Sequence, residues 1–300
     1  MWPSTRTDAP VPLKLPFKAG LLASALLLSG CPEVPETMLL SDGFAPMTAE
    51  CLHPSVNGSQ PLPSTFSLLT WNIYKQQGDW QTELNRWVGD SNLLLLQEAR
   101  SSEELHHWLQ QRHYHWFQVA AFNWEQKANG VLTASTGQAS RVCGQRIREP
   151  ATRIPKSLLF SYYSLEGASQ QLLVVNLHAV NFSLRGRTYQ EQLDRISGFI
   201  ENYGGPVIVA GDFNRWNPRR ERLLRLWAGR EQLSEAVPTP DHRTRFIGYP
   251  LDAVFYRGLT LEQAQSMRSE ASDHGPLKVS FRVKGSDTPQ AGGGKANPLE

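Results

Sequence analysis

The sequence predicts an α/β fold in which two packed sheets are covered on their outer faces by helices. Strand-like runs alternate with amphipathic helical segments along most of the chain, and several strand-like runs follow one another directly, which favours antiparallel pairing. The runs "LLLL" and "VIVA" are wholly apolar, as in strands buried on both faces. With 300 residues and 40% hydrophobic content, the chain is large enough to bury such a core.

The first 30 residues have the pattern of a secretory signal rather than of a domain. Arg6, Lys14 and Lys18 precede the apolar run from Ala19 to Leu28, which is shorter than the roughly 20 residues of a membrane-spanning helix. The run ends in "LLLSGC", which resembles the lipobox of bacterial lipoproteins. Cys31 is then the lipidated first residue of the mature chain. An ordinary cleaved signal and a short hydrophobic anchor are the alternatives.

The remainder divides into a linker, one domain and a tail. Residues 31–63 are rich in Pro and Ser without periodicity and predict a flexible tether, residues 64–284 predict the globular domain, and the Gly- and Pro-rich residues 285–300 predict a disordered tail. Besides Cys31, the chain has Cys51 and Cys143. These two thiols either pair in an oxidising compartment or are unrelated and buried.

Within the domain, each element follows from its apolar spacing and its flanking residues. Ser102 before two Glu residues marks a helix start, and the spacing of Leu193, Ile196 and Phe199 gives a later helix one apolar face. The predicted strands are Phe66 to Trp71, Leu93 to Gln97, His115 to Ala121, Gly130 to Ala134, Lys156 to Ser164, Gln171 to Leu177, Val207 to Ala210, Asp252 to Tyr256 and Leu277 to Val283. The predicted helices are Trp80 to Gly89, Glu103 to Gln111, Thr188 to Asn202 and one that starts at Arg219.

Carboxylates, amides and imidazoles recur at the ends of these strands. Each of them alone has an ordinary interpretation as a turn former, a helix-start residue or a core histidine. Their repeated placement at strand ends instead favours one shared site, because ligands of α/β sheets bind at the carboxyl edge of the strands. The residues concerned are Asn72, Glu98, Asn176, His178, Asn181, Asp212, Asn214, Asp252, Asp273 and His274.

The order of the motifs resembles one known superfamily. The segments "WN", "QE", "NLH", "GDFN", "LD" and "SDH" occur in the order found in the endonuclease/exonuclease/phosphatase superfamily, which includes DNase I, exonuclease III-type nucleases, neutral sphingomyelinases and inositol polyphosphate 5-phosphatases. The resemblance extends from about Ser67 to Val283. It implies a four-layered α/β/β/α sandwich of DNase I type and hydrolysis of phosphoester bonds by in-line attack of water.

The resemblance also implies a metal site. Glu98 is the first metal ligand, Asn72 lies beside it, and Asp252 is a lesser candidate. Mg²⁺ is the expected cofactor, with Mn²⁺ as an alternative, because carboxylate and amide oxygens suit hard divalent cations. Exonuclease III-type repair nucleases tend to have an acidic residue where this chain has Tyr74, so the resemblance does not extend to a repair nuclease or to a second metal ligand there.

The catalytic roles are implied residue by residue. Asp212 orients or deprotonates the attacking water, and Asn214 donates hydrogen bonds to the phosphoryl group. His274 contacts a non-bridging phosphate oxygen, and Asp273 fixes its imidazole. His178 protonates the leaving oxygen or binds phosphate. The predicted phosphate-binding residues are Asn176 and Asn181, whereas Arg148 in "REP" is treated as a surface residue.

These patterns predict a Mg²⁺-dependent phosphoester hydrolase, of nuclease or phosphodiesterase type, that acts outside the cytoplasm. The alternatives are a lipid-headgroup phosphodiesterase of sphingomyelinase type and a catalytically silent binding module, although a silent copy is expected to lose Glu98, Asp212 or His274. The formal charge of +2 does not demand a nucleic-acid partner. We expect a monomer that takes a phosphoester substrate, including nucleic acid, and is held at a bacterial membrane, the outer membrane, by the lipid on Cys31.

Overall fold

The computed structural model describes residues 32–54, 60–183 and 185–284. Its strands, in chain order, are β1 (Leu39–Ser41), β2 (Cys51–Leu52), β3 (Thr65–Asn72), β4 (Leu93–Arg100), β5 (His115–Val119), β6 (Phe122–Trp124), β7 (Lys127–Ser135), β8 (Ala139–Arg148), β9 (Pro155–Tyr163), β10 (Leu172–His178), β11 (Val207–Asp212), β12 (Ser234–Glu235), β13 (Arg245–Phe246), β14 (Tyr249–Pro250), β15 (Asp252–Arg257), β16 (Leu259–Ser266) and β17 (Leu277–Val283). Its α-helices are α1 (Trp80–Trp87), α2 (Glu103–Gln111), α3 (Arg187–Ile200) and α4 (Pro218–Arg230).

The strands form two large sheets and a small hairpin. The first sheet has the order β1-β5-β7-β4-β3-β17-β16, with β6 paired to β7, and the second has the order β12-β15-β11-β10-β9-β8-β2. Strands β13 and β14 pair with each other as a separate hairpin. Leu68 and Leu95 of the first sheet share one apolar core with Val174 of the second, so the sheets pack face to face.

Helices cover the outer face of each sheet. Leu84 of α1 and Leu105 of α2 pack in one apolar cluster with residues of the first sheet. Leu193 of α3 and Leu224 of α4 pack in another with residues of the second sheet. The result is the predicted α/β/β/α sandwich. Each helix stabilises the fold by burying one apolar stripe, as its sequence spacing indicates.

A parallel strand pair lies at the centre of each sheet and sets the position of the polar strand ends. Strands β3 and β4 are parallel, with Asn72 opposite Gln97. Strands β10 and β11 are parallel, with His178 opposite Asp212. Strand β15 runs antiparallel to β11 and begins at Asp252, which lies opposite Asp212. The carboxyl ends of β10 and β11 therefore meet the start of β15 at one edge of the second sheet.

The segment before the predicted domain is part of the fold, and the prediction of a flexible tether is wrong for its described residues. Strand β1 pairs with β5, and Leu39 is fully buried in the core between the sheets. The guanidinium of Arg146 donates to the backbone carbonyls of Pro35 and Thr37. Apolar burial and backbone pairing thus order a stretch whose Pro and Ser content indicated a linker.

A disulfide adds a covalent link between this segment and the second sheet. Cys51 of β2 is bonded to Cys143 of β8, which settles the choice between a pair and two separate thiols. Leu62, also within the predicted tether, is fully buried and forms a bridge with Leu165. The domain therefore begins well before residue 64.

Most predicted elements are confirmed with small shifts of their ends. The strands that were not predicted are the longer β8 and β16 and the short β1, β2, β6, β12, β13 and β14. Within the described ranges, no helix has the length and apolar character that a membrane span requires. The predicted signal peptide, residues 1–30, and the predicted tail, residues 285–300, lie outside the described residues.

Candidate active site

The carboxylate of Asp212 lies where the polar ends of both sheets meet. Its Oδ2 accepts hydrogen bonds of 3.2 Å from the side-chain amides of Asn72, in the first sheet, and Asn214. The same oxygen lies 3.4 Å from His178 Nε2 and 3.8 Å from His274 Nε2. The side chain of Asp212 is only 2% exposed. Asn214 and three residues from distant parts of the sequence thus surround one buried carboxylate.

The turn that carries Asp212 requires glycine and a left-handed residue. A Cβ at Gly211 would lie 2.1 Å from the carbonyl oxygen of Leu177, and the residue has φ +138, so glycine is needed there. Asn214 has φ 48, a conformation that Asn tolerates better than most residues. Its backbone N–H donates to Asp212 Oδ1 over 2.9 Å. The "GDFN" motif therefore fixes the carboxylate through backbone geometry as well as through side chains.

Glu98 reaches the site through a β-bulge. Leu96 pairs with Leu132 and Ala99 with Gly130, so β4 contains one residue more than its partner β7 at this point. Glu98 has φ 50, which is rare for a residue with a Cβ and is a form of strain that recurs at functional sites. Its Oε1 lies 3.8 Å from His178 Nε2. The bulge turns Glu98 out of the sheet and toward the other strand ends.

His274 is held by Asp252, not by its neighbour Asp273. His274 Nδ1 lies 2.8 Å from Asp252 Oδ2, and both side chains are buried. Asp273 is exposed, and its carboxylate lies near Ser272. The predicted role of Asp273 is therefore wrong: consecutive residues at this turn point in different directions. Asp252, predicted as a lesser metal ligand, makes the contact instead.

The charges around His274 keep its imidazole protonated. Burial lowers the pKa of His274, but the carboxylates of Asp252 and Asp212 outweigh this effect and raise the pKa to about 10. A protonated ring donates from both nitrogens. With Nδ1 directed to Asp252, Nε2 is left to donate into the site, as a contact with a phosphate oxygen requires.

Two lysines that sequence reasoning missed complete the site. Lys156, at the start of β9, is half-buried, and its ammonium lies 2.8 Å from His178 Nε2. Lys75 forms an ion pair with Glu98. Lys75 belongs to the turn Tyr74–Gln76, whose three residues all have positive φ. The available sequence signal for Lys75 was its position three residues after Asn72. Nothing in the sequence pattern distinguished Lys156 from a surface lysine.

The lysines change the ionisation of their neighbours. Burial would raise the pKa of Glu98, yet the charges of Lys156 and Lys75 outweigh burial and lower it, so Glu98 is ionised. Burial, followed by the charge of Lys156, holds the pKa of His178 well below its usual value. An ammonium can only donate, so His178 Nε2 accepts from Lys156 and the ring is neutral. In this arrangement Lys156, and not His178, offers the proton donor.

Asn176 has a structural role instead of the predicted contact with phosphate. It is fully buried, and its Oδ1 accepts a 2.7 Å hydrogen bond from Gln97. Its Nδ2 donates to the carbonyl of Leu132 over 2.8 Å. These bonds link the second sheet to β4 and β7 of the first. The amide is therefore committed to joining the two sheets and is fully buried between them.

Asn181 lies at the wall of the cleft beside the site. The cleft is lined by Glu98, Lys156 and His178 together with Asn181. The Oδ1 of Asn181 accepts from the indole of Trp216 over 2.7 Å. The buried Glu149 accepts from the backbone N–H groups of Asn181 and Phe182 and so fixes this loop. The contact of Asn181 with a phosphate stays a prediction.

The donor set suits a hard divalent cation. Asp212, Asp252 and His274 each offer one possible ligand atom within 4.8 Å of the others. The protonated His274 cannot act as a ligand, which leaves oxygen donors. Asp252 Oδ1 is buried without a hydrogen-bond partner, so it retains a free acceptor. With the ionised Glu98 and the carboxamide of Asn72, the site offers the oxygen ligands that Mg²⁺ prefers.

Comparison with known proteins agrees with this geometry. The model of the endonuclease/exonuclease/phosphatase family matches residues 69–274, and the chain belongs to this family. A UPF0294 protein of Vibrio vulnificus (strain CMCP6) is 41% identical over 254 residues, which cover 84% of this chain and 89% of that protein. A UPF0294 protein of Klebsiella pneumoniae (strain 342) is 43% identical over 215 residues, or 71% of this chain and 81% of that protein.

Solved structures share the fold at low sequence identity. An endonuclease/exonuclease/phosphatase protein of Beutenbergia cavernae has a TM-score of 0.58 at 16% identity and covers 73% of this chain and 72% of its own. The catalytic domain of human Nocturnin with bound sulfate has a TM-score of 0.55 at 14% identity, with coverage of 74% and 96%. These likenesses establish the DNase I-like fold. Family membership indicates an activity of phosphoesterase or nuclease type.

Proposed function

We propose that the protein is a divalent-metal-dependent phosphoester hydrolase, of phosphodiesterase or nuclease type, that acts outside the cytoplasm. The observation that carries the proposal is the convergence on Asp212. One ionisable carboxylate lies within 4 Å of two imidazoles and accepts from two carboxamides. Family membership supplies the reaction class, and the geometry supports a role for each residue.

Asp212 is the group that orients and deprotonates the attacking water. A general base must lie within hydrogen-bond reach of the water and must be held still. Asn72 and Asn214 fix Asp212 through three hydrogen bonds of 2.9 to 3.2 Å. Both amides donate to the carboxylate, so its oxygens are held in one orientation toward the site.

Three cationic groups surround the place for the phosphate. The imidazolium of His274 offers Nε2, and the ammonium groups of Lys75 and Lys156 lie near Glu98 and His178. Phosphoryl transfer gathers negative charge on the non-bridging and leaving oxygens, so fixed donors aimed at them stabilise the transition state. Lys156 is placed to neutralise the leaving oxygen, the role predicted for His178.

Glu98 and Asn72, with Asp252 as a further oxygen donor, are the residues that would hold Mg²⁺ or Mn²⁺. When bound, the cation supplies Lewis-acid stabilisation of a phosphoryl oxygen. Glu98 is ionised for this purpose because of the charges of Lys156 and Lys75, as described above. Lys75 must leave Glu98 for the carboxylate to bind an ion.

We further propose that the chain is exported, lipidated on Cys31 and held at the bacterial outer membrane as a monomer. The Cys51–Cys143 disulfide supports an oxidising compartment, because such bonds are rare in the cytosol. The apolar run and "LLLSGC" support export with lipidation. The substrate is then a phosphoester outside the cytoplasm, including nucleic acid.

A catalytically silent binding module is the weaker candidate. A binding module gains nothing from a strained Glu98 or from an imidazole of His274 held in one orientation by Asp252. Glu98, Asp212 and His274, which a silent copy is expected to lose, are all present. The hydrolase therefore accounts for more of the structure.

Hydrolysis of bis(4-nitrophenyl) phosphate and plasmid DNA by the purified protein tests the proposal. Turnover should require Mg²⁺ or Mn²⁺ and cease with EDTA. Glu98→Gln should lower kcat by about a hundredfold or more at an unchanged melting temperature, because a charged ligand is lost. Glu262→Gln, which removes an exposed carboxylate on the edge strand β16, is the matched control. Equal turnover by both variants would refute the site.

A further inference from the structure

The start of the described chain is attached to the wall of the catalytic cleft. Glu33 pairs with Asn123 of β6 through two backbone hydrogen bonds, of 3.2 and 2.6 Å. In the sequence, only Pro32 separates Glu33 from Cys31. Two residues span at most roughly 7 Å. In the sequence, a lipid on Cys31 would therefore be attached two residues before the residue that pairs with β6.

Strand β6 presents aromatic side chains toward the cleft. Phe122 lines the cleft together with Glu98 and Lys156. Alternate residues of a strand share one face, so Trp124 lies on the same side as Phe122. Trp124 is 37% exposed. Phe182, which also lines the cleft, is 49% exposed. Tryptophan and phenylalanine at an exposed rim are typical of surfaces that enter the membrane interface.

Basic residues flank the same opening. Thr152 and Ile154 line the cleft, and Arg153 between them is exposed, as is Arg148 on the strand that enters this turn. The acidic Glu125 beside Trp124 is compensated by Arg100, whose guanidinium lies 2.6 Å away. Exposed arginines beside exposed aromatics complement an anionic phospholipid surface.

We propose that Phe122, Trp124, Arg148, Arg153 and Phe182 form a membrane-facing surface that rests on anionic phospholipid. The inference deepens the proposed function and rests on its lipid at Cys31. The catalytic cleft then opens onto the bilayer. Its substrate class is a phosphoester displayed at the membrane surface, such as the phosphodiester of a lipid headgroup, in preference to a freely diffusing polymer.

Quenching of Trp124 by brominated lipid tests the contact directly. The full lipidated protein is reconstituted in vesicles of 70% phosphatidylcholine and 30% phosphatidylglycerol, with the phosphatidylcholine brominated or not. Bromolipid should quench part of the tryptophan emission, and Trp124→Phe should remove that part. Trp87→Phe, on α1, should leave it unchanged. Equal quenching in the wild type and Trp124→Phe, or a mass that shows no lipid on Cys31, would overturn the proposal.

Removal of two charges tests the recognition of anionic lipid. In Arg148→Gln/Arg153→Gln, the fraction of the Trp124 emission that bromolipid quenches should fall in anionic vesicles. The equilibrium constant for the membrane-facing orientation should fall by about fivefold for each arginine removed. Arg86→Gln/Arg195→Gln removes the same charge from exposed positions on α1 and α3 and should have no effect. Equal behaviour of the two double variants would contradict the charge complementarity.

Turnover of soluble bis(4-nitrophenyl) phosphate by the same samples separates this inference from the proposed function. Turnover without quenching of Trp124 would overturn the membrane-facing surface and leave the hydrolase intact. Quenching without any turnover would overturn the hydrolase and leave the surface intact. The inference also predicts a higher kcat/KM for a phosphodiester headgroup in vesicles than for the same headgroup in solution, and an equal or lower value would reject the substrate class.

Discussion

The imidazole of His274 is paired with Asp252, 22 residues away in the sequence, through a 2.8 Å contact at Nδ1. Its direct neighbour, Asp273, is exposed to solvent. The pairing joins the start of β15 to the turn before β17 and directs His274 Nε2 toward Asp212. Separate substitution of Asp252 and Asp273 therefore tests which of the two aspartates positions His274.

Asp252→Asn is expected to lower kcat by about a hundredfold or more, because the neutral amide no longer favours the imidazolium or its orientation. Asp273→Asn is expected to stay within a few-fold of the wild type. The measurement is kcat for bis(4-nitrophenyl) phosphate at neutral pH, with melting temperatures to confirm folding. A greater loss in Asp273→Asn would restore the assignment that the sequence suggested.

The proton of His274 should persist well above neutral pH. Because Asp252 and Asp212 raise its folded-state pKa to about 10, the NMR signal of its ring in the metal-free protein should titrate near that pH and not near 6.5. Because its folded-state pKa is raised, the protonated His274 stabilises the fold. This contribution to the free energy of unfolding is fully present below the unfolded-state pKa and is lost as the pH rises through about 10. In Asp252→Asn the titration should move to lower pH. A midpoint near 6.5 in the wild type would contradict this account.

Lys75 should compete with the metal for Glu98. Lys75→Met is expected to raise the affinity for Mn²⁺ by up to roughly fivefold, because a partly exposed ion pair of up to about 1 kcal/mol no longer has to break. Isothermal titration calorimetry measures the change without substrate. Lys278→Met, which removes a lysine near the exposed Asp90, is the control. A weaker affinity in Lys75→Met would show that Lys75 supports the ion.

Asn176→Ala should reduce stability and spare the chemistry. The substitution removes the hydrogen bonds of Asn176 with Gln97 and with the Leu132 carbonyl, at roughly 0.5–1.5 kcal/mol for each bond in the free energy of unfolding by urea. Gln97 keeps its bonds to Thr70 and Leu95. Below the transition, kcat should remain close to that of the wild type. Asn181→Ala, at the cleft wall, should show the opposite pattern. A loss of kcat without a loss of stability in Asn176→Ala would restore its predicted contact with phosphate.

The disulfide should stabilise the segment before residue 64. Cys51→Ala/Cys143→Ala is expected to lower the free energy of unfolding by about 2–4 kcal/mol, because the bond closes a loop with a sequence separation of 92. Turnover of a soluble phosphodiester should change little, since neither sulfur lies at the site. Urea unfolding with and without a reductant measures the effect. Unchanged stability would indicate that β1 and Leu62 suffice to hold the segment.

The sequence determined the two-sheet fold and the main polar residues because both depend on local patterns. Apolar runs mark β4 and β11, and polar residues at their ends mark Glu98 and Asp212. The partner of His274 could not be predicted, since chain neighbours diverge at a turn while Asp252 approaches from another strand. Lys156 was missed for the same reason, because its burial depends on the facing sheet.

The segment before residue 64 shows a second limit of sequence patterns. Composition indicated a linker, but Leu39 and Leu62 are both buried in the core between the sheets, among residues that are distant in the sequence. Such contacts have no periodicity of their own. Likewise, Asn176 and Asn181 look alike as strand-end amides. Only the position of the opposite sheet makes the first one structural and leaves the second at the cleft.

The most direct test of the central claim is the kcat of Asp212→Asn for bis(4-nitrophenyl) phosphate with saturating Mg²⁺. The account predicts a fall of about a thousandfold or more, with the melting temperature nearly unchanged, since the amide keeps the shape of the side chain and loses the base. Turnover by Asp212→Asn at the rate of the wild type would show that the chemistry occurs elsewhere.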